Sequence, residues 1–218
     1  MRGGAVTFLS ILLVAGASAC SRDADHSAQT AIHARKLSTS FDHLPAAAAR
    51  GRVFVTKAQL GQALASGTVD QPIKSLLFVD QPLTYGEYKW NDTAIPNGLT
   101  WVRIDLGTQL ISVFRAGHEI GTAVIVYGGD NKQTPVGKLH ILAKARDHRS
   151  SLYDASMPYT LRLTNDGVSI HGSNVRWGAA THGCIGVPID FARHLFDATK
   201  VGDEVMILPA NRPSSRSS

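Results

Sequence analysis

The chain has 218 residues, enough for one domain of ordinary size or a compact domain with a smaller attached segment. With 44% hydrophobic and 18% charged residues it can bury a core, which argues against global disorder. The net charge of +5 is spread thinly: no run of five or six basic residues occurs, and aromatics do not interleave with Lys or Arg, so a nucleic-acid surface is not indicated.

Met1-Arg2 gives a short basic start, Ala5 to Ala17 an apolar run, and Ala17-Ser18-Ala19 a small-x-small cleavage pattern. Residues 1–19 are therefore expected to be a secretory signal peptide rather than a spanning helix, which needs roughly 20 apolar residues. Cys20 follows directly, where a bacterial lipoprotein carries its acylated cysteine, although Ala17 stands where such signals usually carry a bulkier residue. Two readings stay open: Cys20 is lipidated, or it is lost with the signal or kept as a free thiol. The expectation is an exported protein of the periplasm, with a lipid anchor in a membrane if Cys20 is acylated. Only Cys184 remains beyond it, and a lone thiol in an oxidising compartment is a liability unless it is buried or used.

Residues 20–50 are rich in Ala, Ser, Asp, His and Arg without an apolar period and read as a tether. Residues 51–97 read as an N-terminal extension. In it Thr56 can cap a helix over Lys57 to Ala65, Ser75 to Val79 is a strand candidate, and Tyr85 to Pro96 is an irregular covering segment. From residue 98 to 209 the pattern is that of a β-rich domain. Trp101 to Leu106 and Gln109 to Arg115 alternate and are joined by Gly107-Thr108, a hairpin signal. Glu119 to Tyr127 is the next strand, Gly128 to Gly137 a long loop, and Lys138 to Ala145 a further strand. Arg146 to Pro158 is irregular, and Tyr159 to Leu163 with Val168 to His171 forms a hairpin about Asn165-Asp166-Gly167. Pro188 opens a helix whose Ile189, Ala192, Leu195 and Phe196 recur near a 3.6-residue period; Gly202 ends it and Val205 to Leu208 is the last strand. Residues 210–218 read as a disordered tail. The fold class is mainly β, a sandwich or mixed sheet with one or two helices.

The chemistry concentrates in Ile170-His171-Gly172 and Thr181-His182-Gly183-Cys184-Ile185. A thiolate is the attacking form of cysteine and needs help to form near neutral pH. His182 lies two residues before Cys184, and a tight turn points it elsewhere. His171 ends a separate strand, so it is assigned as general base and acid, with His182 as support. Main-chain N–H groups around Gly183 and Cys184 can hold an oxyanion. A backbone carbonyl near Gly172 can fix the tautomer of His171, the task an Asp performs in other triads. A zinc centre on His171, His182 and Cys184 is the first rival; the spacing fits no common zinc pattern and no acidic residue stands nearby. No metal and no cofactor is therefore called for. His26, His33, His43, His118, His140, His148 and His194 are read as structural.

These motifs resemble the signature of the L,D-transpeptidase catalytic domain (the YkuD-type family), in a short-loop form with Thr-His-Gly-Cys. Ile104 to Leu110, the Gly117 turn, Thr134-Pro135-Val136-Gly137 and Met157-Pro158-Tyr159 extend the likeness over about residues 99–208. The resemblance implies that Cys184 attacks the carbonyl of the third residue of a peptidoglycan tetrapeptide stem and releases D-alanine. A thioester forms, and an amine of a second stem or of an anchored protein resolves it. Carbapenems typically acylate the cysteine of such domains. Tyr159, Asn174, Arg176, Trp177 and Thr181 are the substrate-binding candidates. One departure is Gly186, where the family usually has Arg or Asn; Arg176 is a candidate to stand in. The second is the short interval from His171 to Cys184. Two alternatives share the sequence: an L,D-carboxypeptidase or endopeptidase that uses water as acceptor, and a catalytically impaired wall-binding lipoprotein.

Overall fold

The computed structural model describes residues 50–66, 69, 71–129, 133–150, 154–179 and 181–210. The chain divides into two units, Met1–Lys36 and Leu37–Ser218; the first lies outside the described residues, as do the signal peptide, Cys20, nearly all of the tether and the tail expected from the sequence.

Twelve strands, two helices and their connections make up the described part. β1 (Arg52–Phe54), α1 (Lys57–Ala65), β2 (Ser75–Leu77) and β3 (Tyr88–Trp90) precede the hairpin β4 (Thr100–Asp105) and β5 (Leu110–Arg115). Then follow β6 (His118–Val124), β7 (Gly137–His140), β8 (Ala143–Ala145), β9 (Thr160–Arg162), β10 (Ser169–Ser173), β11 (Ile185–Pro188), α2 (Ile189–Ala198) and β12 (Glu204–Leu208). One sheet runs β1-β2-β6-β5-β4-β12-β7, with β3 also on β6; the other runs β11-β10-β9-β8. This is the mainly β, mixed-sheet architecture read from the sequence.

The apolar residues of the two sheets and of α2 share one core. Val102 and Ile104 of β4, Ile111 and Val113 of β5, and Ile120 and Ala123 of β6 meet Leu161, Ile170, Ile185 and Val187 from the smaller sheet. Phe191, Ala192 and Leu195 press α2 into the same core. The alternate face of the β4–β5 hairpin carries Trp101 and Phe114, stacked at 4.2 Å, and Ile73 of the extension completes that second cluster. Period-two alternation thus serves two cores, one on each side of the large sheet.

Several elements differ from the sequence reading, each for a local reason. The β4–β5 connection spans Leu106 to Gln109 rather than two residues, because the Asp105 carboxylate accepts from the Gly107 and Thr108 amides at 3.1 and 3.2 Å and Gln109 takes φ +56°. The strand expected from Lys138 to Ala145 is two strands in different sheets: Ile141 and Leu142 carry the chain over, with the Ile141 amide on Asp203 O and the Leu142 amide on Arg162 O. β10 continues two residues past His171, which therefore sits mid-strand. The covering segment contains β3, paired antiparallel to β6. α1 has the expected cap, with the Gln59 amide on Thr56 Oγ1 and the Thr56 amide on Gln59 Oε1, but it buries no side chain. Among the described residues no helix is long and apolar enough to cross a membrane.

Candidate active site

β10 and β11 run parallel, with His171 opposite Gly186 and Gly172 opposite Val187. Side chains alternate along a strand, so paired residues share a face. Ile170 and Ile185 point into the core, at 1% and 0% exposure. The opposite face therefore takes His171 and, one residue before Ile185, the half-buried Cys184. Cys184 comes two residues before Gly186, the residue opposite His171, so the two side chains stand diagonally across the strand pair. The Cys184 thiol is directed to the Gly167 carbonyl, at 3.9 Å, a weak contact for a weak donor.

The turn carrying the thiol is held from three sides. Gly183 adopts φ +96°, a conformation open to glycine, and Thr181 Oγ1 donates to the Cys184 carbonyl at 2.5 Å. The segment after β6 is stitched to it: the Val126 and Gly186 amides and carbonyls exchange bonds of 2.9 and 2.8 Å, and the Thr181 amide donates to Tyr127 O at 3.0 Å. Buried Thr134 completes the frame. Its hydroxyl accepts from the Gly128 amide at 2.9 Å and donates to the Gly183 carbonyl at 3.1 Å. Thr134 lies in the Thr134-Pro135-Val136-Gly137 motif, but its task is not visible there because its partners are 6 and 49 residues away in the chain.

His171 Nδ1 lies 3.0 Å from the Gly172 carbonyl oxygen. A carbonyl only accepts, so Nδ1 carries the proton and the Nε2 lone pair is left to take another. Burial holds the imidazole below the ordinary histidine range; the Gly172 carbonyl opposes that shift and the charge of His148 adds to it. The ring thus stays neutral, the form that accepts a thiol proton. Gly172 itself is tightly enclosed: a Cβ would stand 3.1 Å from Pro158 Cγ and 3.3 Å from Pro158 O.

The other predicted residues distribute unevenly. His182 is exposed on the turn, while Gly183 is buried within it. Tyr159, at φ +57°, packs edge-on to Phe196 at 5.9 Å, with the Arg146 guanidinium 5.5 Å from its ring centroid. Asn174, Arg176 and Trp177 are exposed on the loop after β10, and Thr181 is half-buried. Gly186 has no room for the family's longer side chain: a Cβ there would meet Val126 Cγ2 at 2.7 Å and Ser173 Cβ at 2.9 Å. Among the described residues no group of three His, Cys, Asp or Glu side chains gathers as a metal-binding set.

A thiol just before β11 and an imidazole on the adjacent parallel strand β10, beside a turn built on Thr-His-Gly-Cys, define a cysteine-centred site on a mixed β scaffold. The family model of the L,D-transpeptidase catalytic domain (YkuD) matches residues 99–207, half of the chain, and the protein belongs to that family. L,D-transpeptidase 1 of Mycobacterium tuberculosis is 28% identical over 120 residues, 47% of this chain and 48% of that protein. The chain therefore spans about half the length of the curated relatives it matches. Similar solved structures include an L,D-transpeptidase from Stackebrandtia nassauensis, with 24% identity, TM-score 0.48, and coverage of 58% of this chain and 62% of that one. L,D-transpeptidase 1 from Mycobacterium tuberculosis gives 27% identity, TM-score 0.44, and coverage of 51% and 62%.

Proposed function

We propose that the protein is an exported, cysteine-dependent acyltransferase acting on peptidoglycan stem peptides. The observation that carries this reading is the shared face of Cys184 and His171, with Nδ1 of the imidazole committed to the Gly172 carbonyl. In the proposed reaction, Nε2 of His171 takes the Cys184 proton and the thiolate attacks the stem carbonyl. The amides of Gly183 and Cys184 are the candidates for holding the oxyanion. Collapse of the tetrahedral intermediate expels D-alanine, whose amine takes the proton from the imidazolium. An incoming amine then attacks the thioester, gives its excess proton to His171 and displaces the thiolate. Tyr159, Asn174, Arg176, Trp177 and Thr181 are the candidates for binding the peptidoglycan substrate, and Cys20 for a lipid anchor.

Incubation of the protein with disaccharide-tetrapeptides, read by mass spectrometry, tests this. Crosslinked dimer is the expected product; tripeptide alone would identify water as the acceptor, the carboxypeptidase alternative. Cys184→Ala should abolish both products with an unchanged circular dichroism spectrum, and D-alanine release by that variant would remove Cys184 as nucleophile. Imipenem should add one drug mass to the wild-type chain and none to the variant.

A further inference from the structure

Next to the His171 face lies a groove of about 300 Å³ that none of the catalytic groups lines. Ser173, two residues beyond His171 on β10 and so on the same face, forms its near end, roughly 7 Å along the strand. Asn174 and Asp190 supply an amide and a carboxylate, Tyr88 a phenol, and Val175 and Ile189 apolar walls. Among the described residues no cationic side chain lines it, and the Asp190 carboxylate is paired with Arg193 at 3.7 Å. Its volume is at the lower end of the range for small-ligand sites.

The same two segments that wall the groove also hold an aromatic face at its margin. Trp177 follows Asn174-Val175 on the loop and is 83% exposed. Tyr85, which precedes the lining residue Gly86, meets the indole edge-on at 5.6 Å and 76°. Tyr85 is itself fixed by its hydroxyl, which donates to Gln109 Oε1 at 2.6 Å. Gly86 approaches the loop closely: a Cβ there would lie 3.4 Å from Val175 O. The indole is thus exposed but backed by a tethered tyrosine, so its ordering entropy is largely met before any ligand arrives.

We propose that Trp177, backed by Tyr85, and the groove of Ser173, Asn174, Tyr88 and Asp190 bind a neutral saccharide, an N-acetylhexosamine ring of a glycan strand. A pyranose has an apolar C–H face that stacks on an indole and equatorial hydroxyls that a carboxylate, an amide and hydroxyls satisfy. A stem peptide lacks the flat C–H face that an exposed indole takes. Tyr85, Gly86 and Tyr88 lie before residue 99, outside the segment matched to the family. One wall of the site is therefore supplied by this chain's extension and the other by the family-matched segment. The assignment rests on the peptidoglycan reading for its natural ligand, since a glycan strand is what carries the stems.

The test uses the full chain and a peptide-free β-1,4-linked tetramer of N-acetylglucosamine, which offers no bond to the thiol, so binding and turnover are read separately. Calorimetry should show saturable binding, accompanied by a change in tryptophan fluorescence. Trp177→Ala and Asp190→Asn should each weaken it by about tenfold or more, the scale of one lost stacking or charge-assisted contact. Trp177→Phe should retain most of the affinity while abolishing the fluorescence change. The inference is overturned if the tetramer does not bind saturably or if Trp177→Ala binds it as the wild type does. Displacement of the tetramer by sugar-free stem peptide at equal concentration would also overturn it, and would assign the groove to peptide. Failure of the transpeptidase assay leaves these readouts unaffected.

Discussion

His171 carries a pH dependence whose sign follows from its surroundings. Burial lowers its proton affinity, more than the Gly172 carbonyl restores. The neutral, proton-accepting ring therefore persists below the ordinary histidine value of about 6.5. The acid limb of kcat/KM against pH should fall below that value, and His171→Gln should remove turnover more completely than His182→Gln. For stability, the unfolded chain takes up a proton at about pH 6.5 while the folded one does not. The contribution of this group is thus present above about pH 6.5 and declines as pH falls toward its lower folded value, which denaturant titrations at stepped pH would measure. Thr134 is the second residue with a defined expectation. Thr134→Val strips one partner each from the Gly128 amide and the Gly183 carbonyl, at a cost of about 1–3 kcal/mol for each buried group left unpaired. Turnover should fall in kcat more than in KM, because the thiol turn loosens while the groove is untouched. Thr134→Ser keeps the hydroxyl and should restore both.

At the scale of elements, α2 depends on a residue from another strand. Its C-terminal carbonyls lack an intrahelical partner, and Thr199 follows in an extended conformation. Lys144 of β8 supplies the cap: its ammonium donates to Phe196 O at 2.5 Å and to Thr199 O, and lies 4.3 Å from the Phe196 ring centroid. A cation there also complements the helix dipole. Burial lowers the proton affinity of this amine, with Asp197 and Asp203 opposing that shift, so the contacts hold the charge against desolvation. Lys144→Met keeps the stem and loses the donor; thermal melts should show a loss of about 1–3 kcal/mol. Because α2 packs on β10 and β11, the same variant should also lower turnover.

For the molecule as a whole, the extension and the family-matched segment share a sheet and a core. β1 pairs with β2, β2 and β3 both pair with β6, and Ile73 closes the Trp101–Phe114 cluster. Buried Arg52 adds bonds of 2.5 Å to Glu119 O and Asn91 O. Ile73→Ala, outside residues 99–207, should therefore cost about 2–5 kcal/mol in chemical denaturation and keep a single transition. A separate early transition for the extension would show that the two parts fold independently.

The Cys184–His171 motif pair and most strands were legible in the sequence because their signals are local. A lone cysteine after His-Gly, period-two alternation from Trp101 to Arg115, and the Thr56–Gln59 cap each lie within a few residues. Tertiary structure decided what depends on distant partners. The parallel register of β10 on β11 set the face shared by Cys184 and His171 and left Gly186 no room for a side chain. The crossover at Ile141-Leu142 split one apolar run between two sheets, and Tyr85 and Tyr88 reached the loop after His171. Alternation along a strand specifies two faces but neither the neighbour nor the register; those follow from burying both faces at once, a condition the whole chain has to satisfy together.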